Sequence, residues 1–269
     1  MRCYSDAPLG IFDSGVGGLT VVKEILKQLP NESFIYLGDT GRYPYGSRSA
    51  DIIRRFALQN ARFLMGFGIK VLIVACNTAS SVALEELRKW ISVPIMGVIE
   101  PCAREAVKST KNGRIGVIGT VGTIASNSYQ NAIITLNPNI EVFTKVCPLF
   151  VPLAEEGLVD GEITELIAHH YLDGFLEKGI DTLVLGCTHY PLLKKAIAKV
   201  MGENIKIIDS AKAIVEELKK YLVDEEILST GDNKYSRFFV TDAPQRFRII
   251  GTKFLAREIE KIELIQIEI

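Results

Sequence analysis

The chain has 269 residues, of which 48% are hydrophobic and 23% charged, a composition typical of a globular protein with a buried core. Its 31 basic and 32 acidic side chains leave a net charge of −1, which excludes a general attraction to nucleic acid or to an anionic membrane. We find no signal-peptide pattern and no apolar stretch of about 18 residues, so we expect a cytoplasmic protein without a membrane partner.

Short β-branched apolar runs alternate along the chain with longer amphipathic segments. The runs predict strands at 9–12, 34–37, 71–74, 95–98, 115–118, 182–185, 205–208 and 238–240. The amphipathic segments predict helices at 19–29, 50–66, 80–90, 162–178, 191–200 and 212–222, and a last helix from about Pro244. Because continuous apolar strands are typical of parallel sheets covered by helices, the pattern predicts an α/β fold.

A faint internal repeat divides the chain. The segment 9–17 (LGIFDSGVG) is similar to 115–123 (IGVIGTVGT), and 68–76 (GIKVLIVAC) is similar to 179–187 (GIDTLVLGC). The repeat predicts two similar lobes, each with a parallel-rich sheet flanked by helices, related by a pseudo-twofold axis. We expect the active site in the cleft between them, since ligands bind at the carboxyl ends of parallel strands.

Each copy of the repeat ends a strand on a cysteine. Cys76 is followed by the polar pair Asn77-Thr78, and Cys187 by Thr188-His189, so neither thiol continues an apolar core. The odd total of five cysteines indicates reduced thiols, and we interpret the other three as residues that fill space in the core: Cys3, Cys102 and Cys147.

Two thiols that face each other across a substrate have a definite chemical use. One thiolate removes a proton from a carbon atom and the opposite thiol returns a proton to the other face, which inverts the stereocentre. Because a thiol has a reference pKa of about 8.5, each sulfur needs a partner that favours its charged form. Asp13 could serve Cys76, and His189 or a carboxylate from elsewhere could serve Cys187.

The segment 13–18 (DSGVGG) ends the first strand and opens the first helix. It predicts a tight turn whose backbone N–H groups could bind a carboxylate or a phosphate. As a dinucleotide-binding fingerprint it is weak, because the glycine spacing does not match and Asp13 would repel a phosphate.

Other residues have structural interpretations. We interpret His169 and His170 as a solvated pair on a helix, because neighbouring helix residues point apart and a zinc site needs three or four converging ligands. Arg246 and Arg248 are interpreted as part of a surface helix, and Trp90 as a packing residue at the end of a helix.

A set of motifs, in order along the chain, resembles the glutamate racemases of the aspartate/glutamate racemase superfamily. The motifs are 13–19 (DSGVGGL), 38–40 (GDT), 44–46 (PYG), 75–79 (ACNTA), 97–101 (GVIEP), 118–120 (IGT), 152–157 (PLAEEG) and 185–191 (LGCTHYP). The resemblance extends from about 9 to 209 and, more loosely, through 238–255. We make no functional prediction for 1–8 or 262–269.

The resemblance implies an isomerase without cofactor or metal that interconverts L- and D-glutamate and supplies D-glutamate for peptidoglycan. It implies that Cys76 acts on the α-proton of D-glutamate with help from Asp13, and Cys187 on that of L-glutamate with help from Glu155 and His189. It also implies that glutamate is held by hydroxyls, amides and backbone N–H groups of Ser14, Pro44, Tyr45, Gly46, Asn77, Thr78, Thr120, Thr123 and Thr188.

The resemblance also suggests how the chain divides. We expect a first domain of residues 1–100 plus 210–269, which carries Asp13 and Cys76, and a second domain of residues 101–209, which carries Cys187 and His189. The expected partner is glutamate, without nucleic acid or membrane, and we expect a homodimer.

Two alternatives stay open at this stage. A racemase of the same superfamily that acts on aspartate or a hydantoin would use the same pair of cysteines. A non-catalytic protein that binds an anionic amino acid would not need the paired thiols.

Overall fold

The computed structural model describes residues 4–231 and 234–267, and Cys3 lies outside them. Ten strands are present in these ranges: β1 (Leu9–Asp13), β2 (Phe34–Gly38), β3 (Val71–Val74), β4 (Ile95–Gly97), β5 (Arg114–Gly119), β6 (Glu141–Val146), β7 (Thr182–Gly186), β8 (Lys206–Asp209), β9 (Ser236–Val240) and β10 (Glu263–Leu264). Each predicted strand is present, within about two residues of its expected ends.

The α-helices of the described residues cover both faces of the strands. They are α1 (Leu19–Gln28), α2 (Ala50–Met65), α3 (Asn77–Trp90), α4 (Ile99–Ser109), α5 (Val121–Ala125), α6 (Ser128–Leu136), α7 (Phe150–Glu156), α8 (Glu162–Glu177), α9 (Lys194–Met201), α10 (Ser210–Asp224) and α11 (Pro244–Leu255). Four of them, α4 to α7, were not among the predicted helices.

The strands form two separate parallel sheets. The first has the order β10-β9-β2-β1-β3-β4 and the second the order β6-β5-β7-β8, and all the pairings are parallel. The order β2-β1-β3-β4 in the first sheet is the same as β6-β5-β7-β8 in the second, as two copies of one unit would give. The prediction of an α/β fold with two parallel sheets flanked by helices is confirmed.

The central strands carry the core. Every residue of β1, β2, β3 and β7 is buried, which is the pattern of strands covered by helices on both faces. Strand β6 differs, because it lies at the edge of its sheet and its side chains are exposed or half-buried. Its mixed sequence therefore lacked the apolar run that predicted the other strands.

Trp90 does not pack as the sequence predicts. It ends α3 as expected, but 61% of its surface is exposed, and its indole N–H donates to Glu86 one turn earlier at 2.8 Å. The side chain stays at the surface and does not pack in the core.

The topology brings the functional loops together. In the first sheet β1 lies between β2 and β3, and in the second sheet β5 lies between β6 and β7. The chain therefore leaves β1 and β3 in opposite directions, and it leaves β5 and β7 in opposite directions as well. Crevices form at such points at the carboxyl ends of the strands. Residues that follow β1 and β3 line one cavity together with residues that follow β5 and β7.

Candidate active site

One cavity of about 220 Å³ lies between the ends of the two sheets and contains both repeat cysteines. Cys76 follows β3 of the first sheet, and Cys187 follows β7 of the second. Only 5% of Cys76 and 6% of Cys187 is exposed, so each sulfur reaches the cavity while the protein shields it from bulk water.

All but three of the predicted site residues line this cavity. The lining includes Ser14, Pro44, Tyr45, Gly46, Cys76, Asn77, Thr78, Thr120, Cys187, Thr188 and His189. The other three lie behind the wall and contact residues that line it: Asp13, Thr123 and Glu155.

The sulfur of Cys76 lies at the start of a helix. Cys76 is the N-cap of α3, and its Sγ accepts a hydrogen bond from the N–H of Ala79 at 3.5 Å and lies 3.7 Å from Ser14 Oγ. Burial and the nearby charge of Asp13 raise the pKa of the Cys76 thiol to about 12, against the opposing effect of these hydrogen bonds. Cys76 is therefore a thiol at neutral pH.

Cys187 has a chain of acid–base partners. His189 Nδ1 lies 3.9 Å from Cys187 Sγ, and the other ring nitrogen, Nε2, lies 3.2 Å from Glu155 Oε1. The ring of His189 is almost completely buried and packs edge-on against Phe254 of α11. These contacts fix the ring so that one nitrogen faces the sulfur and the other faces the carboxylate.

The electrostatics of this chain favour a charged histidine. Burial alone would lower the pKa of His189, but its contacts with Cys187, Glu155 and Asp13 outweigh burial and raise the pKa to about 10. Burial also opposes ionisation of Glu155, yet its hydrogen bonds to His189 and Tyr43 and the charge of Arg246 hold the pKa of that carboxyl below its usual value. At neutral pH the pair is an imidazolium beside a carboxylate.

Asp13 connects the two sides of the site. Its Oδ2 accepts the N–H of Gly15 at 2.9 Å and its Oδ1 accepts the hydroxyl of Thr188 at 3.5 Å. Burial raises the pKa of Asp13, although the charge of His189 and the backbone N–H groups of Gly15 and Gly18 oppose the rise. Asp13 also acts electrostatically on Cys76, so it interacts with groups beside both thiols.

The turn after β1 is present as predicted, but its N–H groups have an internal partner. Those of Gly15 and Gly18 bond to the carboxylate of Asp13. These two groups therefore hold a carboxylate of the protein itself and not one that belongs to a ligand.

A cluster of hydroxyls joins the two sheets on one side of the cavity. Thr78 Oγ1 lies 3.0 Å from Thr120 Oγ1 and 3.2 Å from Thr123 Oγ1, and the N–H of Gly122 donates to the carbonyl of Gly46 at 2.8 Å. On the other side, Gly17 lies so close to the second sheet that a Cβ atom there would overlap Thr188 Oγ1 and lie 2.5 Å from His189 Nδ1.

Two residues near the thiols were missed by the sequence analysis. Tyr43 lines the cavity, and its hydroxyl bonds to Glu155 while its ring lies near His189. Arg246, interpreted as a surface residue, is 64% exposed, but one guanidinium nitrogen lies 3.5 Å from Glu155 Oε2. The first could have been suspected from its position beside the motif at 44–46, whereas nothing in the sequence joins Arg246 to Glu155.

The remaining histidines lie away from this site. His169 is exposed on α8 and pairs with Asp173 one turn later at 2.9 Å, and His170 is exposed as well. Among the residues that the structure describes, no three His, Cys, Asp or Glu side chains are grouped so that they could hold a metal ion. No helix in the same ranges combines the length and apolar character that crossing a membrane requires.

Comparison with known proteins identifies the family. The Asp/Glu/hydantoin racemase family matches residues 17–218. A glutamate racemase from Geobacter metallireducens is 51% identical over 261 residues, which are 97% of each chain.

Two solved structures are also similar over nearly the whole chain. A glutamate racemase from Francisella tularensis in complex with D-glutamate is 42% identical, with a TM-score of 0.92 over 98% of this chain and 99% of that one. A glutamate racemase isoform from Bacillus anthracis is also 42% identical, with a TM-score of 0.94 over 97% and 98%. The resemblance drawn from the motifs is therefore confirmed, and the chain belongs to the Asp/Glu/hydantoin racemase family of isomerases.

Proposed function

We propose that this chain is a glutamate racemase that interconverts L- and D-glutamate by proton transfer between the substrate and two cysteines, Cys76 and Cys187. The observation that carries the proposal is that two buried thiols, one from each sheet, reach the same cavity. The similarity to glutamate racemases over nearly the full length supports glutamate as the substrate.

The reaction in the D-to-L direction begins with the thiolate of Cys76. It takes the α-proton of D-glutamate, so that the C–H bond breaks, an S–H bond forms, and the electron pair is delocalised into the α-carboxylate. The thiol of Cys187 then gives its proton to the opposite face of the α-carbon and becomes a thiolate. The L-to-D direction uses the same steps in reverse order.

The neighbours of each sulfur support these roles. At Cys187, the protonated His189 can donate to a sulfur that carries negative charge, and that sulfur together with Glu155 favours the charged ring. At Cys76, the helix N-terminus and the N–H of Ala79 favour the thiolate. Since burial and Asp13 raise the pKa of Cys76 to about 12, we expect the α-ammonium group of the bound substrate to favour the thiolate further.

Uncharged groups hold the substrate in this proposal. The residues that the structure describes around the cavity include neither arginine nor lysine, while Ser14, Asn77 and several threonines offer hydroxyl and amide donors. We propose that these donors bind the two carboxylates of glutamate. Such a site can release either enantiomer, which a racemase must do.

We keep the predicted domains, 1–100 plus 210–269 and 101–209, as part of the proposal. The parallel pairing of β9 with β2 in the first sheet supports the return of the C-terminal segment to the first domain. The start of α10 at Ser210, directly after β8, supports the second boundary. Supply of D-glutamate for peptidoglycan follows from the proposed activity, and the homodimer stays a prediction that analytical ultracentrifugation would test.

The test is isotope exchange at the α-carbon in deuterated water. The unmodified protein should racemise L-glutamate and bring deuterium into it, whereas Cys76→Ala and Cys187→Ala should each lose racemisation while they stay folded. Cys147→Ala, which shortens another buried cysteine, is the matched control and should stay active. Near-normal turnover in either of the first two variants would refute the two-cysteine mechanism.

The same assay separates the alternatives. Faster exchange with L-aspartate or a hydantoin than with L-glutamate would indicate that the chain is a racemase for that substrate instead. Binding of glutamate without any exchange would identify a non-catalytic protein.

A further inference from the structure

A buried tyrosine outside the predicted site bonds to one of the residues that line the cavity. Tyr129 lies in the first turn of α6, is fully buried, and donates its hydroxyl proton to Asn77 Oδ1 at 2.6 Å. Asn77 is the first residue of α3 and follows Cys76 directly. Tyr129, which follows β5 of the second sheet, thus contacts the amide of Asn77, which follows β3 of the first sheet.

Contacts with three neighbouring segments hold Tyr129 in place. The thiol of Cys102 in α4 lies beside the Tyr129 hydroxyl, and the Tyr129 ring packs so closely on Gly186 that a Cβ atom there would lie 3.1 Å from Tyr129 Cε2. The preceding residue, Ser128, donates its hydroxyl to the carbonyl of Ser81 in α3 at 2.8 Å. These contacts hold the Tyr129 side chain next to Gly186, which precedes Cys187, and next to Asn77, which follows Cys76.

These bonds determine which end of the Asn77 amide faces which neighbour. A carboxamide offers one acceptor oxygen and two N–H donors. The oxygen accepts from Tyr129, and Nδ2 donates to Ser210 Oγ at 3.5 Å, which uses one of the two N–H groups. Because Asn77 also lines the cavity, the group that it can present to a ligand is the second N–H.

We propose that Tyr129 is a positioning residue for the substrate, whose hydroxyl fixes the Asn77 amide so that an N–H group, and not the carbonyl oxygen, faces the cavity. This inference rests on the proposed function, in which the substrate is an amino acid with carboxylates to bind. An N–H group attracts a carboxylate, whereas an amide oxygen in the same place would repel it. Tyr129 does not touch the substrate and acts only through Asn77.

Tyr129→Phe removes the hydroxyl and keeps the ring that packs on Gly186. Without the hydroxyl the amide can turn over, and its oxygen then competes for the position of the N–H. We expect KM to rise about tenfold for both L- and D-glutamate, the usual effect of losing one hydrogen bond to a charged group, while kcat stays within about twofold of the unmodified enzyme. A purely structural role would lower the melting temperature and the amount of active enzyme without this division between KM and kcat.

Tyr190→Phe is the matched control. Tyr190 is also fully buried and also donates its hydroxyl once, to the carbonyl of Cys147 at 2.8 Å, but it has no bond to Asn77. We expect this variant to lose stability comparably and to keep the KM of the unmodified enzyme. A similar rise of KM in both variants would overturn the proposal, because general loosening would then explain the effect.

Asn77→Ala completes the test. It should raise KM by itself, and adding Tyr129→Phe to it should raise KM no further, because the tyrosine acts through the amide. Additive effects, or an unchanged KM in either single variant, would overturn the role of Tyr129. The proposed function fails separately, if the unmodified protein does not racemise glutamate at all.

Discussion

Replacing His189 by asparagine tests most directly the proposal that each thiol handles the α-proton of one enantiomer. Asparagine keeps a polar side chain of similar reach but carries neither the charge nor the second ring nitrogen. It therefore replaces the charged donor 3.9 Å from Cys187 Sγ by a neutral amide and removes the 3.2 Å bond to Glu155, while Cys76 keeps its own hydrogen bonds with Ala79 and Ser14.

The expected magnitude follows from the protonation of the ring. With a pKa of about 10, His189 is almost fully charged at pH 7, so the variant loses an acid–base partner that is always present in the unmodified enzyme. Losing such a group costs about 10² to 10⁴ in rate, or about 3 to 5 kcal/mol in the barrier of the affected step. In the proposed mechanism, the affected step is the one in which Cys187 takes or gives the proton.

The assay must separate two steps that lie in series. Because the equilibrium constant between the enantiomers is one, kcat/KM is the same in both directions and cannot reveal which step has slowed. Glutamate deuterated at the α-carbon can reveal it. In His189→Asn, the isotope effect on kcat/KM should increase for L-glutamate, whose proton goes to Cys187 in the proposed mechanism, and should fall towards one for D-glutamate.

The control is His169→Asn, which changes an exposed histidine that pairs with Asp173 on α8. This variant should keep the rate and both isotope effects of the unmodified enzyme. The reasoning is refuted if His189→Asn lowers the rate less than tenfold, or if it changes both isotope effects in the same direction. The second result would mean that His189 serves both thiols.

Three further predictions concern charge, pH and metals. Arg246→Gln should lower kcat about two- to fivefold, because the exposed guanidinium supports Glu155 only weakly, whereas Arg248→Gln on the same helix should leave kcat unchanged; steady-state kinetics decides. The pKa of His189 rises from 6.5 to about 10 on folding, so its contribution to stability is complete below pH 6.5 and is lost as pH rises through 10. The free energy of unfolding in urea should therefore fall between pH 7 and pH 10, by about 3 kcal/mol more in the unmodified protein than in His189→Asn. An equal fall in the two proteins would contradict the raised pKa of His189. Activity should survive dialysis against a chelator, and activity that is lost and then restored by a divalent ion would mean that a metal takes part.

The strands and the two thiols were predictable because local sequence determines them. A run such as 71–74 is buried on both faces, so its burial is visible in its composition, and the cysteine that follows must lie near the carboxyl end of the strand. Strand β6 was missed for the opposite reason. It lies at a sheet edge, where partial exposure permits Glu141 and Lys145 among the apolar residues.

The residues that support the thiols were less predictable, because they come from surfaces that meet only in the folded chain. Arg246 lies 91 positions after Glu155, and Tyr129 lies 52 positions after Asn77. Both contacts depend on how α11 and α6 pack, and no spacing or periodicity in the sequence records that packing. Family resemblance identified Glu155, whereas its contacts with Tyr43 and Arg246 are visible only in the structure.

The close approach at Gly17 has a consequence for which substitutions the chain tolerates. Its backbone is not in the left-handed region, so the turn by itself would accept an alanine at this position. What excludes a side chain is the second sheet's loop, where Thr188 and His189 occupy the space that a methyl group would need. The absence of a side chain at Gly17 therefore allows the loop that carries Cys187 to approach the loop that carries Asp13 this closely. A larger residue would hold the two loops further apart.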